Sequence, residues 1–520
     1  MKQTEGQNLS VKTAKNALWH ISGFLTTTVL GLVVTSFVVN KIGVASFGLF
    51  GLITAILAPL TLANLGFGEA TVKYVAQYVH EGDLEKAARY ISTTYFMNLI
   101  VGLAGAILIA LLGEAVFTAY FHVKQEDLQV VKICLYLVAI GWFCNQAAAV
   151  MVGIPAAFQK YNYIAAGNII VVFVNSLLVL LFILSGGGLV GYTTATVVGG
   201  FVNYCYWYVI AKKVFPSAKI RPAFHLEVWK SSFHFGGWQA ISQFGAIMAA
   251  QIDKYLLGVF LNPAAVGIYN IALTAEQKAY SSVFTMSEVL FPAFSSISNE
   301  SLELKADALM KASWILTVAA VCVLAPLIPL ATDLISVWIN ADVAGQGAIV
   351  LRTLCVGGIL GCATSATYFF LLGTGKTRII TVMAVATGVV TVIVSAIVLP
   401  RFGLKAAGWS GIAAMIVQMM FIFAILKKIF GSILTWSHIT TSLHVPIAAG
   451  LSVAFLVSGI GRPPLTTWPS LILAYAIVFV LTLVTTLAVN ALMPHGRDRN
   501  MFLMSMVRSL LPGRSSAGRI

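Results

Sequence analysis

An all-α polytopic membrane fold is predicted by three features of this sequence: its composition, the regular recurrence of long apolar runs, and the placement of its basic residues. Over 520 residues, 59% are hydrophobic and 10% charged, and the mean hydropathy is +0.91. A soluble core of that size does not have such a balance. Runs of about 20 apolar residues, each long enough at 1.5 Å per residue to cross roughly 30 Å of hydrocarbon, recur along the whole chain.

Fourteen candidate spans follow in order: residues 16–40, 44–65, 91–113, 130–152, 164–185, 188–211, 232–259, 264–289, 310–332, 347–372, 379–399, 404–426, 441–460 and 470–492. The first follows a polar stretch with Lys2, Lys12 and Lys15, and it is too long for a signal-peptide apolar region. It is therefore expected to stay in the mature protein. With the N-terminus inside, most of the 32 Lys and Arg fall in inner segments, as the positive-inside rule requires. The densest groups are Lys212, Lys213, Lys219, Arg221 and Lys230 between spans 6 and 7, and Arg497, Arg499, Arg508, Arg514 and Arg519 in the tail. Both termini are thus expected to be cytoplasmic. The net charge of +14 fits this pattern and attraction to anionic lipid. With no soluble basic domain to present it, that charge does not point to nucleic acid as a partner.

Comparing the chain with itself exposes a repeat. A shift of 219 superposes Trp19 on Trp238, Gly48 on Gly267, Glu69 on Glu288, Glu81 on Glu300 and Lys86 on Lys305, and later the offset drifts to 215. Polar and charged matches at one offset are not expected from hydrophobicity alone. Residues 1–215 and 216–430 are expected to be two six-helix halves. Six is even, so both halves cross in the same direction, a parallel repeat about the membrane normal. Residues 431–493 add two transmembrane helices, and 494–520 form a basic cytoplasmic tail.

Several chemistries are excluded. The six cysteines lie inside spans without metal or CxxC spacing, and the eight histidines show no HExxH pattern, so no metal site and no cofactor are expected. "LGTGKT" at 372–377 lacks the first P-loop glycine, since Phe370 stands there, and no strand precedes it. No outer connection is large enough to hold an enzyme site, and no catalytic residues are assigned. What remains is a transporter working by alternating access between parallel halves.

Polar side chains inside the spans mark where a cavity is expected, because polar atoms in hydrocarbon must face protein or water. On span 7, Gln239, Gln243 and Asp253 share a stripe with Lys254 at its edge. On span 8, Asn270, Thr274, Gln277, Ser281 and Glu288 share another, and Glu276 flanks it with Tyr269 and Tyr280. His20 faces the same way on span 1 as Asn16 and Thr27. Glu276 lies about twelve residues into its span, roughly 18 Å at helical rise, too deep to snorkel. Glu69 and Glu288 sit at inner ends, where a gate or a salt bridge is expected, and Arg352 near an outer end suits either an anion or headgroup level. At the 219 offset, Asp253, Lys254, Glu276 and Lys278 meet Val34, Thr35, Leu57 and Pro59. The charges therefore belong to one half only, which favours function over scaffolding.

The stretches "VVNKIGVASFGLFGLITAI", "ANLGFGEATVKYVAQYVHEGDLEKAARY" and "DKYLLGVFLNPAAVGIYNIAL" resemble the polysaccharide-transporter branch of the multidrug/oligosaccharidyl-lipid/polysaccharide exporter (MOP) superfamily. That branch holds the Wzx-type O-antigen flippases, with lipid II flippases as relatives, and the likeness in layout covers about residues 10–430. The two appended spans are familiar from the lipid II branch, but span 1 lacks the arginines typical of it. The resemblance implies transfer of an undecaprenyl-diphosphate-linked oligosaccharide from the inner to the outer leaflet of a bacterial cytoplasmic membrane. Lys254, Lys278 and Arg352 are then candidates for the diphosphate. Gln239, Gln243, Asn270, Gln277 and His20 are candidates for the cavity wall. Asp253 and Glu276 are candidates for a coupling proton or Na+. Membrane lipids, a polysaccharide polymerase and chain-length machinery are the expected partners. The competing readings are a cation-coupled multidrug exporter of the same superfamily, a lipid II flippase, and a membrane scaffold without transport.

Overall fold

The computed structural model describes residues 26–64, 67–121, 123–216, 221–461, 463–494 and 496–510. Among these the chain is helical, and no strand occurs. It divides into two compact units, Met1–Asn270 and Ile271–Ile520.

The first unit holds α1 (Thr26–Ile42), α2 (Val44–Leu57, continued as a 3₁₀ turn to Asn64), α3 (Phe67–His80), α4 (Leu84–Tyr120), α5 (Gln125–Ala157), α6 (Tyr161–Leu184), α7 (Gly188–Val214), α8 (Leu226–Phe260) and the first turns of α9 (Pro263–Glu288). Between α3 and α4 the chain turns at Gly82, with φ of 77°, a left-handed backbone that costs glycine little. Asp83 then caps α4, its carboxylate accepting from the Lys86 backbone N–H at 2.9 Å. Buried Tyr90, Ile91, Met151, Ile154 and Trp207 pack α4, α5 and α7 together. Neutral polar groups join α3 and α7 to α4: Thr71 donates to Thr94 at 3.0 Å, and the hydroxyls of Tyr95 and Tyr204 meet at 2.9 Å.

The second unit continues α9 and adds α10 (Leu290–Ser296), α11 (Leu302–Leu324), α12 (Leu327–Trp338), α13 (Ala341–Gly373), α14 (Thr377–Phe402), α15 (Trp409–Phe430), α16 (Trp436–Ile439), α17 (Val445–Gly459), α18 (Trp468–Ala491) and α19 (Gly496–Leu510). Here α11 packs through Trp314, Val318 and Cys322 on Phe479, Leu483 and Leu487 of α18 and Leu503 of α19. A buried network docks α19. The Asn490 amide donates to the Gly496 carbonyl (3.1 Å) and to Asn500 Oδ1 (2.9 Å), and Arg499 donates to Thr441 Oγ1 at 2.9 Å.

Ten helices among the described residues are long and apolar enough to span a membrane, with Thr26–Ile42 and Leu327–Trp338 as shorter apolar helices. Polar α8 and α9, of 35 and 26 residues, are not among the ten. The chain is an all-α polytopic membrane protein, and each of the fourteen expected spans has a helix. One expected boundary is corrected. The ninth span, 310–332, is not continuous, because the helix stops at Leu324 and resumes at Leu327. Pro326 lacks the N–H that a continuous helix needs there.

Candidate substrate and coupling site

The turn that joins α8 to α9 sets the site. Leu261 ends α8, the Asn262 side chain accepts from the Ala265 N–H at 3.0 Å, and Pro263 occupies the first helical position, where its fixed φ suits a helix start. The reversal turns Tyr269 back toward α8, where its hydroxyl donates to Asp253 Oδ2 at 3.4 Å. Asp253 is 5% exposed and Asn270 8%.

Farther along α9, within the second unit, Glu276 is 7% exposed. Its carboxylate lies against Gly358 of α13, and a Leu324 methyl from the end of α11 approaches the same glycine. A Cβ at residue 358 would overlap the Glu276 oxygen, so a larger residue there would push the carboxylate aside. Buried Cys355 and Cys362 flank Gly358 on α13, and Tyr280 follows one turn later on α9. Among the described residues no Lys, Arg or His forms an ion pair with Glu276.

The N-terminal ends of α2 and α9 meet backbone to backbone. A Cβ at Gly48 would overlap the Pro263 carbonyl oxygen, and a Cβ at Gly267 would overlap that of Val44. Gly51 lies against the Asn270 side-chain amide. Positions 44, 48 and 51 differ from 263, 267 and 270 by the 219 of the repeat, and the contact is reciprocal: each glycine takes the carbonyl of the other's helix start. Small residues are what allow membrane helices this approach.

The other expected residues divide. Lys254, Lys278 and Gln243 are half-buried, whereas Gln277 and Glu288 are exposed. Arg352 is already engaged, donating from Nε to the Ile328 carbonyl (3.1 Å) and from Nη2 to Thr332 Oγ1 (3.2 Å) of α12. His20 and the side chains of Glu69 and Gln239 lie outside the described residues. On α9 the buried polar residues include Asn270, Glu276 and Ser287, so the flank rather than the polar stripe carries the buried carboxylate. Sequence reasoning did not identify Tyr269 as the donor to Asp253, nor the glycine contact. The repeat pairing of Gly48 with Gly267 was the available signal for the latter.

Residues 13–298 match the family of polysaccharide biosynthesis proteins. An uncharacterized membrane protein of Methanocaldococcus jannaschii is 21% identical over 431 residues, covering 80% of this chain and 84% of its own length. A putative O-antigen transporter of Shigella flexneri is 18% identical over 311 residues, 55% of this chain and 67% of that one. The fold is similar to that of the lipid II flippase MurJ in an inward closed conformation, with a TM-score of 0.71 at 15% identity, over 90% of this chain and 98% of that one. Its fold is thus shared with that flippase, and the match over more than half of its length establishes that the chain belongs to the family of polysaccharide biosynthesis proteins.

Proposed function

We propose that this chain flips an undecaprenyl-diphosphate-linked oligosaccharide from the inner to the outer leaflet of a bacterial cytoplasmic membrane by alternating access, with proton or Na+ coupling. The observation that carries the reading is the pair of buried carboxylates, Asp253 and Glu276, in membrane helices of a chain from this family. Burial in a low-dielectric medium makes a carboxylate costly to keep ionised, so binding and release of a cation there switches the local charge. Lys254 and Lys278 are the half-buried cations nearest in sequence and suit a diphosphate. An inside-negative membrane potential favours outward movement of that anion by about 2.3 kcal/mol per charge per 100 mV.

In this reading residues 1–215 and 216–430 are the two halves that rock against each other. The reciprocal contact of α2 and α9 supports it, since a two-fold relation between repeats produces contacts in which i meets j and j meets i. With the N-terminus inside, those helix starts lie at the outer face, and their contact is an outer seal that must part to release the head group.

The test is leaflet accessibility of a fluorescent polyprenyl-diphosphate oligosaccharide in vesicles holding the purified full chain. Transport that depends on pH or Na+ is expected, falling about tenfold or more in Glu276→Gln. A chain that leaves the lipid in its original leaflet, while cells lacking it become sensitive to cationic drugs, overturns the reading in favour of a drug exporter.

A further inference from the structure

The last four carbonyls of a helix lose their intrahelical donors, and in hydrocarbon no water replaces them. At the end of α11 the Val321 carbonyl keeps the N–H of Ala325, but beyond Pro326 the register changes, and the Ile328 N–H bonds to Ala325 instead. The donor that reaches the Val323 carbonyl comes from far along the chain. It is the hydroxyl of Tyr475 on α18, at 2.9 Å. From the other side Arg352 of α13 holds the first turns of α12 through Ile328 and Thr332. The residue between the bonded carbonyl and the break is Leu324, whose methyl shares the Gly358 surface with the Glu276 carboxylate.

Tyr475 is itself fixed. Asp333 of α12 accepts from the Leu465 N–H at 3.0 Å in the segment leading into α18. At the far end of α18 the Asn490 and Asn500 side chains tie it to α19, and Arg499 ties α19 to the carbonyl of His438 and the hydroxyl of Thr441. The appended helices are therefore hydrogen-bonded to α12 just before α18 and to α11 at the break, while the far end of α18 is held through α19, whose Leu503 packs on α11.

We infer that Tyr475 and Arg352 are positioning residues, and that the appended pair α17–α18 is a brace holding the elbow at Pro326 and the wall behind Glu276. Its functional meaning rests on Glu276 being the coupling carboxylate. A hydroxyl donor is what the position needs, because phenylalanine fills the same space and leaves the carbonyl without its partner.

The test labels the full-length protein in detergent, with a hydrophobic carbodiimide for Glu276 and a maleimide for Cys355 and Cys362. Buried Cys134 of the first unit serves as the internal reference. Tyr475→Phe is expected to raise labelling at Glu276, Cys355 and Cys362 about fivefold, the effect of losing one hydrogen bond on local opening, with Cys134 unchanged. Arg352→Gln acts in the same direction, Arg352→Lys restores part of the protection, and Tyr136→Phe, at an exposed position of α5, leaves labelling unchanged. Labelling at wild-type rates in Tyr475→Phe, or an equal rise at Cys134, overturns the brace. If Tyr475→Phe raises labelling while Glu276→Gln leaves the pH and Na+ dependence of transport intact, the brace stands and the coupling role of Glu276 falls.

Discussion

The first unit crosses with α4, an unbroken helix of 37 residues; at the corresponding place, about 219 residues on, the second unit uses α11 and α12, of 23 and 12 residues. The unbroken helix satisfies its own backbone. Its neighbours meet its buried stretch with neutral groups, Thr71 on Thr94 and Tyr204 on Tyr95, and its far end with the Lys132–Glu114 ion pair at 2.8 Å. The broken one borrows donors from α13 and α18, and the Leu324 methyl just before its break shares the Gly358 surface with the buried Glu276 carboxylate. A discontinuity in a membrane helix is thus tolerated only where surrounding protein supplies the missing partners, and here that supply includes helices outside the repeat.

This contrast is broken most directly by exchanging its cause. Ile107 of α4, 48% exposed, stands 219 residues before Pro326. Ile107→Pro is expected to cost about 3 kcal/mol or more, because it removes the helical hydrogen bond to the Leu103 carbonyl and the ring clashes with that carbonyl. Pro326→Ala is expected to change stability by less than about 1 kcal/mol, since the restored N–H is directed at the Cys322 carbonyl while the Val323 carbonyl already has the Tyr475 hydroxyl. Unfolding of both variants in detergent, side by side, measures the difference. Equal losses would show that the two helices are supported alike.

A smaller effect sharpens the comparison where the two repeats touch. Gly48→Ala and Gly267→Ala each drive a methyl into a backbone carbonyl of the opposing helix, and overpacking of this kind costs about 1–3 kcal/mol. Reciprocity predicts similar losses for the two, while the double variant loses less than their sum because the first substitution already separates the helices. Thermal unfolding checks this, and strongly unequal single losses would argue against a two-fold relation. In transport assays both variants are expected to leak more substrate-sized probe from the outer face than wild type.

Much of this was legible in the primary structure. Apolar runs located the helices, and depth within span 8 singled out Glu276, because a carboxylate twelve residues into an apolar run has no route to water. The break at Pro326 was hidden, since "VCVLAPLIPL" keeps a continuous apolar character and proline is tolerated in membrane helices. Arg352 was legible as a cation near a span end, but its bonds to the Ile328 carbonyl and the Thr332 hydroxyl were not, because they depend on how α12 packs on α13 beyond the hidden break. Tyr475 and Val323 are brought together across 152 residues, and no local periodicity encodes such a pairing.

The smallest expected effect separates the two helices at their starts. Asp83 caps α4 and Ser301 caps α11, accepting from the N–H of Lys86 at 2.9 Å and of Leu304 at 3.3 Å. Only the first cap is ionisable. The hydrogen bonds from Lys86 hold the Asp83 carboxyl below the usual carboxylate range, so its folded-state value lies under the unfolded one of about 3.9. The stability it contributes is therefore fully present above that unfolded value and is lost as pH falls through the folded value. Asp83→Asn keeps the capping acceptor and removes the charge, so it should lower stability slightly at neutral pH, less in high salt, and not at all once the medium is acidic enough to protonate the wild-type carboxyl. Ser301→Ala should cost about 1 kcal/mol at every pH, because a hydroxyl cap has no proton to gain. Unfolding curves at neutral and strongly acidic pH, each compared with wild type, distinguish the two, and a pH-independent loss in Asp83→Asn would mean that the Lys86 ion pair contributes nothing to the start of α4.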